Sequence, residues 1–493
     1  MGNFDKMDNS NSENIKHLVI KGLIWKIAER LGIQGVQFII QVILARILAP
    51  DIFGSVAIIN VFILIANVLV QYGFSTALIQ KLKPDSLDYS SVCYVNLLIS
   101  IIMCGIIYAG APVIATFYQD ESLTILFRVQ SLILLPGAVS GVQNSILSKE
   151  MDFQKSFMVN FGAIVLQGIT GIAMAVQGYG IWSLIIAQIV NAFSVMLLGF
   201  VFIRWYPKRE FSVQRVKTMF SFGKNILCAS LLETLFNNIY SLAIGKVYSK
   251  ETLGYYNRGQ SIPSMLMNTI NGSIQGVLFP ALSNSQDDKE RVKIMMRRAI
   301  KISSYMIFPV MLLIVALAPG IVEVLLTEKW LPAVPFLRLS CLSMAVYPIH
   351  TANLQAISAI GRSDIYLKLE IIKKTILVIV LLITLPISIE AVVIGSVLCS
   401  WISMLVNASP NKTLLNYSIF EQIKDIFPSF AVSIIMAGIV YFEGGFLNFG
   451  LPINLIIQVI SGVAVYFIGS VVGKLEELSY LLVTAKKFIK REV

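Results

Sequence analysis

The sequence predicts an all-α polytopic membrane protein: about fourteen transmembrane helices, forming two pseudo-symmetric six-helix bundles plus two C-terminal helices. Three observations predict it. First, 56% of the 493 residues are hydrophobic and 14% charged, with mean hydropathy +0.77. A soluble chain carries roughly 45–50% apolar and about 25% charged residues, so two or three soluble domains could not be coated. Second, apolar runs of about 20 residues, enough for a hydrocarbon core of roughly 30 Å, recur from Gly22 to Gly473. Third, the chain repeats itself at an offset of 200–210 residues.

In chain order, residues 1–21 read as a polar cytoplasmic tail, with no signal-cleavage pattern after the first apolar stretch. The predicted spans are 22–44, 54–79, 91–112, 123–147, 157–176, 181–203, 219–245, 259–282, 302–318, 332–358, 367–386, 390–408, 426–442 and 452–473. Their length and continuous apolarity exclude barrel strands, which alternate over about 10 residues. Pro136 with Gly137 and Gly141, Pro263 and Pro348 mark expected bends inside spans.

The repeat defines the domains. LARILAPDIFG at 44–54 aligns with IGKVYSKETLG at 244–254, and FRVQSL at 127–132 with LRLSCL at 337–342. The pairs include Arg46 with Lys246, Gly54 with Gly254, and Arg128 with Arg338. The bundles are expected at 22–203 and 219–408, joined by a cytoplasmic linker at 204–218. Residues 409–473 supply the two additional helices, and 474–493 form a basic cytoplasmic tail. An even number of spans per half makes the repeats parallel.

The formal charge of +11 is mostly a topology signal. With the N-terminus cytoplasmic, the inner segments hold 26 Lys and Arg and the outer ones 5, as the positive-inside rule requires. Nucleic acid is not an expected partner. The five cysteines sit singly in apolar segments and the only histidines are His17 and His350, so no metal, disulfide or cofactor site is expected and buried filler is the reading for the cysteines.

Ionisable residues inside spans are functional candidates, because each costs at least about 2.5–3.5 kcal/mol at bilayer depth. Eight are basic: Lys26, Arg30, Arg128, Lys224, Arg338, Lys368, Lys373 and Lys374. The acids are fewer, chiefly Glu29, Glu233 and Glu370, with Glu390 at an edge. A cavity with that surplus suits an anionic cargo, above all a phosphate or diphosphate. Snorkelling to headgroups is the plainer reading for those near helix ends, and Glu370 with Lys374 can pair along one helix. Glu233 has no basic residue at three or four positions' distance; it reads as an ion-coupling carboxylate or as a partner for Arg30.

Polar stripes accompany these charges. The first span carries Gln34, Gln37 and Gln41 on the face of Lys26 and Arg30, the second Asn60, Asn67 and Gln71. The seventh carries Glu233 and Asn237, the eighth Asn268, Asn271 and Gln275. Interhelical hydrogen bonding explains one such residue; four stripes on repeat-related helices favour a hydrated cavity.

ARILAPDIFG at 45–54 resembles the Ala-Arg-x-Leu-x-Pro-x-x-Phe-Gly signature of bacterial polysaccharide transporters, the Wzx-like flippases. LGYYNRG at 253–259 is similar to their Leu-Gly-Tyr-Tyr-x-Arg segment, and GRSD at 361–364 to their Gly-Arg-x-Asp turn. The resemblance covers about 20–480 and is specific to the lipopolysaccharide and teichuronic acid subgroup. It implies membership of the multidrug/oligosaccharidyl-lipid/polysaccharide exporter superfamily, with two six-helix bundles in a V in the bacterial cytoplasmic membrane. The implied cargo is an oligosaccharide on undecaprenyl diphosphate, moved from inner to outer leaflet by alternating access, the embedded Arg and Lys holding the diphosphate. H+ or Na+ coupling and polysaccharide assembly proteins as partners follow from the same resemblance. No catalytic residue carries over, since flipping breaks no covalent bond.

Three rivals stay open: a drug cation antiporter of the same superfamily, a membrane polysaccharide polymerase or ligase, and a lipid II flippase. The antiporter would prefer acidic or aromatic cavity residues, and the polymerase a large external loop. The external connections here are about 3–13 residues. No Gly-x-x-x-x-Gly-Lys-Ser/Thr motif is present, so ATP hydrolysis by this chain is not expected.

Overall fold

A computed structural model describes residues 32–489 of the chain. Every regular element among them is helical. The described part of α1 is Gly32–Ile47; α2 (Pro50–Gln80), α3 (Ser86–Phe117) and α4 (Ser122–Gln130) follow. A 3-10 turn at Ser131–Ile133 leads to α5 (Leu134–Glu150), α6 (Phe153–Val176), α7 (Ile181–Ile203) and α8 (Val213–Val247). Then come α9 (Lys250–Ser283), α10 (Lys289–Leu326), a 3-10 segment (Glu328–Ala333), α11 (Val334–Met344) and α12 (Tyr347–Ala359). The last elements are α13 (Ser363–Thr384), α14 (Ile389–Ala408), α15 (Asn411–Leu415), α16 (Ile419–Glu443), α17 (Leu451–Val472) and α18 (Glu476–Ile489).

Each predicted span, as far as it is described, falls on one of these helices or helix pairs, but the count of fourteen is not reached. Among the described residues, eleven helices are long and apolar enough to cross a membrane. The other three have identifiable reasons. Only sixteen residues of α1 are described, the apolar stretch of α9 is interrupted by amides and two prolines, and α13 concentrates Lys368, Glu370, Lys373 and Lys374 near its start. Two of the expected proline bends coincide with breaks: Pro136 follows the turn between α4 and α5, and Pro348 opens α12.

The chain divides into two compact units, Met1–Gly254 and Tyr255–Val493. In the first, α2 packs on α8, α5 and α3, and α6 on α7; α8 therefore groups with the N-terminal helices. In the second, α10 is the hub, carrying α16, α11, α12 and α17. The two additional helices are part of that core. On α17, Tyr466 donates to the Tyr305 carbonyl (2.8 Å), while Tyr305 donates to Ser470 (3.1 Å). Arg297 of α10 grips Asp425 of α16 through two hydrogen bonds, 2.7 and 2.6 Å long.

The repeat reappears as a reciprocal contact inside the first unit. The short links between α1 and α2 and between α8 and α9 bring the starts of α2 and α9 together. A Cβ on Gly54 would overlap the Lys250 carbonyl, and one on Gly254 the Pro50 carbonyl. Positions 50 and 250, like 54 and 254, are equivalent in the repeat, so one glycine contact is made twice. Lys250 also bonds Asp120, and Lys246 the Phe117 carbonyl. Burial raises the Asp120 pKa, but the bonds from Lys250 and Ser122 outweigh it, and the carboxyl titrates below its ordinary value.

At the opposite ends of these helices Asp85 caps α3 in a capping box with Asp88. Arg215 bonds both carboxylates, and Lys81 reaches Asp88 at 2.6 Å. The Arg215 guanidinium holds the Asp85 carboxyl well below the usual carboxylate range.

Candidate functional site

Of the sequence-predicted site residues, Lys26 and Arg30 lie outside the described residues. Gln34, Gln37 and Gln41 are on α1, Gln37 exposed and the other two half-buried.

Arg128 and Arg338 have a specific local task in the structure. The Nε–H of Arg128 donates to the Tyr108 carbonyl at 3.3 Å, and that of Arg338 to the Val315 carbonyl at 3.1 Å. Pro112 stands four residues after Tyr108 in α3, and Pro319 four after Val315 in α10. Proline has no N–H, so each of these carbonyls lacks its helical donor. The two repeat-related arginines supply it. Arg128 also stacks on the Tyr108 ring, 4.4 Å from its centroid.

On α13, Lys373 pairs with Glu370 at 2.6 Å; the expected partner of Glu370, Lys374, is half-buried beside it. Lys368 is exposed. Arg258, expected in an external loop, is two turns inside α9, buried, with its guanidinium 5.5 Å from the Trp330 ring centroid. The loop reading fails because α9 begins at Lys250, nine residues before the apolar run at 259.

The apolar stretch of α8 is unlike every other candidate span: none of its residues is buried inside the protein. Along one side run Ser230, Glu233, Asn237 and Ser241, spaced three, four and four, which is one helical face. Glu233 and Asn237 are exposed. Lys224, also exposed, is nine residues from Glu233 and so leaves the opposite side of the helix. Cys228, exposed on the same helix, departs from the buried filler expected of the cysteines. On α9, Asn268 and Gln275 are exposed, whereas Asn271 is buried and accepts a 2.7 Å bond from Thr351.

A cavity of about 290 Å³ opens within the first unit. Its walls are Asn60, Ile63, Leu64 and Asn67 of α2, Ile133, Gln167 of α6, and Gln188, Asn191 and Ala192 of α7. Five of the nine residues are amides and none is charged. Two of the amides are oriented from behind. Gln71 donates to the Asn67 oxygen at 3.1 Å, and the buried Gln130 to the Gln188 oxygen at 2.7 Å. Gly137 and Gly141 of α5 give Gln71 its room: an added Cβ would come within 3.1 and 3.2 Å of its amide. The sequence signal is complete for the α2 stripe and missing for the rest. Gln130 stands at the end of a nine-residue helix, where no period can build up, and only the seven-residue spacing of Asn160 and Gln167 and the three-residue spacing of Gln188 and Asn191 hint at shared faces.

The profile of the polysaccharide biosynthesis protein family matches residues 43–335. The succinoglycan biosynthesis transport protein ExoT of Rhizobium meliloti is 26% identical over 349 residues, 70% of this chain and 70% of that protein. The teichuronic acid biosynthesis protein TuaB of Bacillus subtilis is 26% identical over 61% of this chain and 62% of its own length. The lipopolysaccharide biosynthesis protein WzxC of Escherichia coli is 23% identical over 73% of this chain and 74% of its own. Among solved structures, the lipid II flippase MurJ in an inward closed conformation superposes with a TM-score of 0.71 at 17% identity, covering 92% of this chain and 98% of that one. An inward-facing multidrug resistance MATE family transporter gives 0.61 at 16% identity, with 80% and 99% covered. These likenesses establish a shared fold. With more than half of its length matched by the family profile, the chain belongs to the polysaccharide biosynthesis protein family of membrane proteins.

Proposed function

We propose that the chain is a flippase: it moves undecaprenyl-diphosphate-linked oligosaccharide units from the inner to the outer leaflet of the bacterial cytoplasmic membrane by alternating access. It acts as a transporter and not as an enzyme. The observation that carries this reading is α8. A membrane-length helix that leaves Glu233 and Asn237 exposed cannot turn that face to lipid, because ionisable groups in hydrocarbon face a bundle interior or a water-filled path. Family membership and a fold shared with a lipid II flippase support the same reading.

On this reading the diphosphate meets the embedded cations Lys26, Arg30, Lys368, Lys373 and Lys374, with Arg128 and Arg338 contributing whatever their carbonyl bonds leave free; Lys224, on the opposite side of α8 from Glu233, is left out of the path. Glu233 is the residue for H+ or Na+ coupling, and polysaccharide assembly proteins are the partners at the membrane surface. Both termini are cytoplasmic, from the 26-to-5 distribution of basic residues. The two halves, 22–203 and 219–408, are the moving bodies. The amide cavity has no carboxylate, which speaks against a drug cation as cargo.

The test is leaflet accessibility of a fluorescent undecaprenyl-diphosphate oligosaccharide in proteoliposomes, beside a matched neutral lipid. The expected result is movement of the diphosphate lipid alone, slowed at least about tenfold in Glu233→Gln or in Arg30→Ala. Equal movement of both lipids would contradict it.

A further inference from the structure

The five amides of the first-unit cavity are chemistry that diphosphate binding does not use. We propose that this cavity is a subsite for one neutral pyranose ring of the lipid-linked headgroup, a reading that rests on the flippase assignment above.

Asn60, Gln167 and Asn191 have no hydrogen-bond partner for their side chains among the described residues, although each sits in the central turns of an apolar helix. Amides so placed lose free energy unless something accepts and donates to them. Asn67 and Gln188 have their oxygens engaged by Gln71 and Gln130, so what they offer the cavity is N–H donors. The cavity therefore presents a mixture of donors and acceptors without net charge. A phosphate would find no cation there, and a cationic drug or a coupling ion no carboxylate. An apolar guest would leave three amides wholly unsatisfied and the N–H groups of Asn67 and Gln188 without acceptors. A sugar ring meets all the conditions: its hydroxyls both donate and accept, and its C–H faces lie against Ile63, Leu64, Ile133 and Ala192. The volume of about 290 Å³ corresponds to about ten waters, which is room for a single pyranose and not for a whole repeat unit. The site would grip one residue of the glycan while the rest stays in the wider path.

The experiment uses the full chain in lipid nanodiscs and saturation-transfer NMR with methyl pyranosides of glucose, galactose, mannose and N-acetylglucosamine. At least one pyranoside should receive saturation from the wild type, and the signal should fall at least about tenfold in Gln167→Leu and in Asn191→Leu, as expected for losing one or two hydrogen bonds. Neither substitution removes a hydrogen bond between described residues, so the thermal midpoint should hold or rise; Asn191→Ser gives the same reading should leucine not pack. In the flipping assay both variants should slow the glycan-bearing lipid about tenfold and leave bare undecaprenyl diphosphate unchanged. No pyranoside signal in the wild type, or a signal that survives both substitutions, overturns the subsite even if flipping proceeds. A pyranoside signal that depends on Asn191 in a protein that flips no diphosphate lipid would uphold the subsite and overturn the flippase reading.

Discussion

Arg128 and Arg338 illustrate how a residue's charge can be legible while its task is not. Both read as candidates for holding an anion because they are cations at membrane depth. In the fold each fills the hydrogen bond that a proline removed four residues beyond its acceptor. The clue is present in the sequence, as a proline before each repeat-related arginine, but the pairing needs α3 beside α4 and α10 beside α11. A double-mutant cycle measures the bond. Arg128→Ala should destabilise the protein by about 1–2 kcal/mol in detergent, because it leaves the Tyr108 carbonyl unpaired. In a Pro112→Ala background, where the new backbone N–H restores the helical donor, the loss should be clearly smaller. Equal losses in both backgrounds would mean that the arginine acts elsewhere.

Among the helices, spans are the most readable feature, since about 20 continuous apolar residues permit few other structures in a membrane. The starts of helices are less readable. Arg258 reads as a loop residue because α9 opens with the polar run KETLGYYNRG, which is helical despite its composition. The amides of α6 and α7 escape notice because each helix carries only one spaced pair, Asn160 with Gln167 and Gln188 with Asn191, too few to define a stripe. The repeat is visible, and it predicts a paired effect. Gly54→Ala and Gly254→Ala each push a Cβ into a backbone carbonyl, and each should destabilise by about 1–3 kcal/mol, the usual range for overpacking. The double variant should cost less than the two together, since one shift of the α9 start relieves both contacts. Unfolding midpoints of the three variants in detergent check this, and fully additive losses would contradict the shared contact.

Over the full length of the protein, charge is arranged in layers. The flanks of the spans carry ion pairs, the spans carry few charges, and α8 carries an acid, Glu233, that no described residue neutralises. The flanking pairs give the protein an acid limit. Asp85, bonded by Arg215, titrates well below the ordinary value of 3.8. Asp364, bonded by Arg362, is lowered to about 2. Both folded-state values are depressed, so the stability they contribute is present above 3.8 and is lost as pH falls toward about 2. Thermal midpoints between about pH 5 and about pH 2 should drop more steeply for the wild type than for Asp85→Asn; parallel curves would show that the pair is inert.

The proposed transport requires a wet path along the polar side of α8, and cysteine accessibility detects such a path without any assay of the cargo. In a cysteine-free background, single cysteines at Ser230, Glu233, Asn237 and Ser241 would be exposed to a membrane-impermeant thiol reagent in intact membranes, beside cysteines at Leu232 and Leu235. The four polar-side positions should react, from one side of the membrane or the other, and the two leucine positions should not. Protection of all six positions, or labelling without regard to face, would mean that no such path exists.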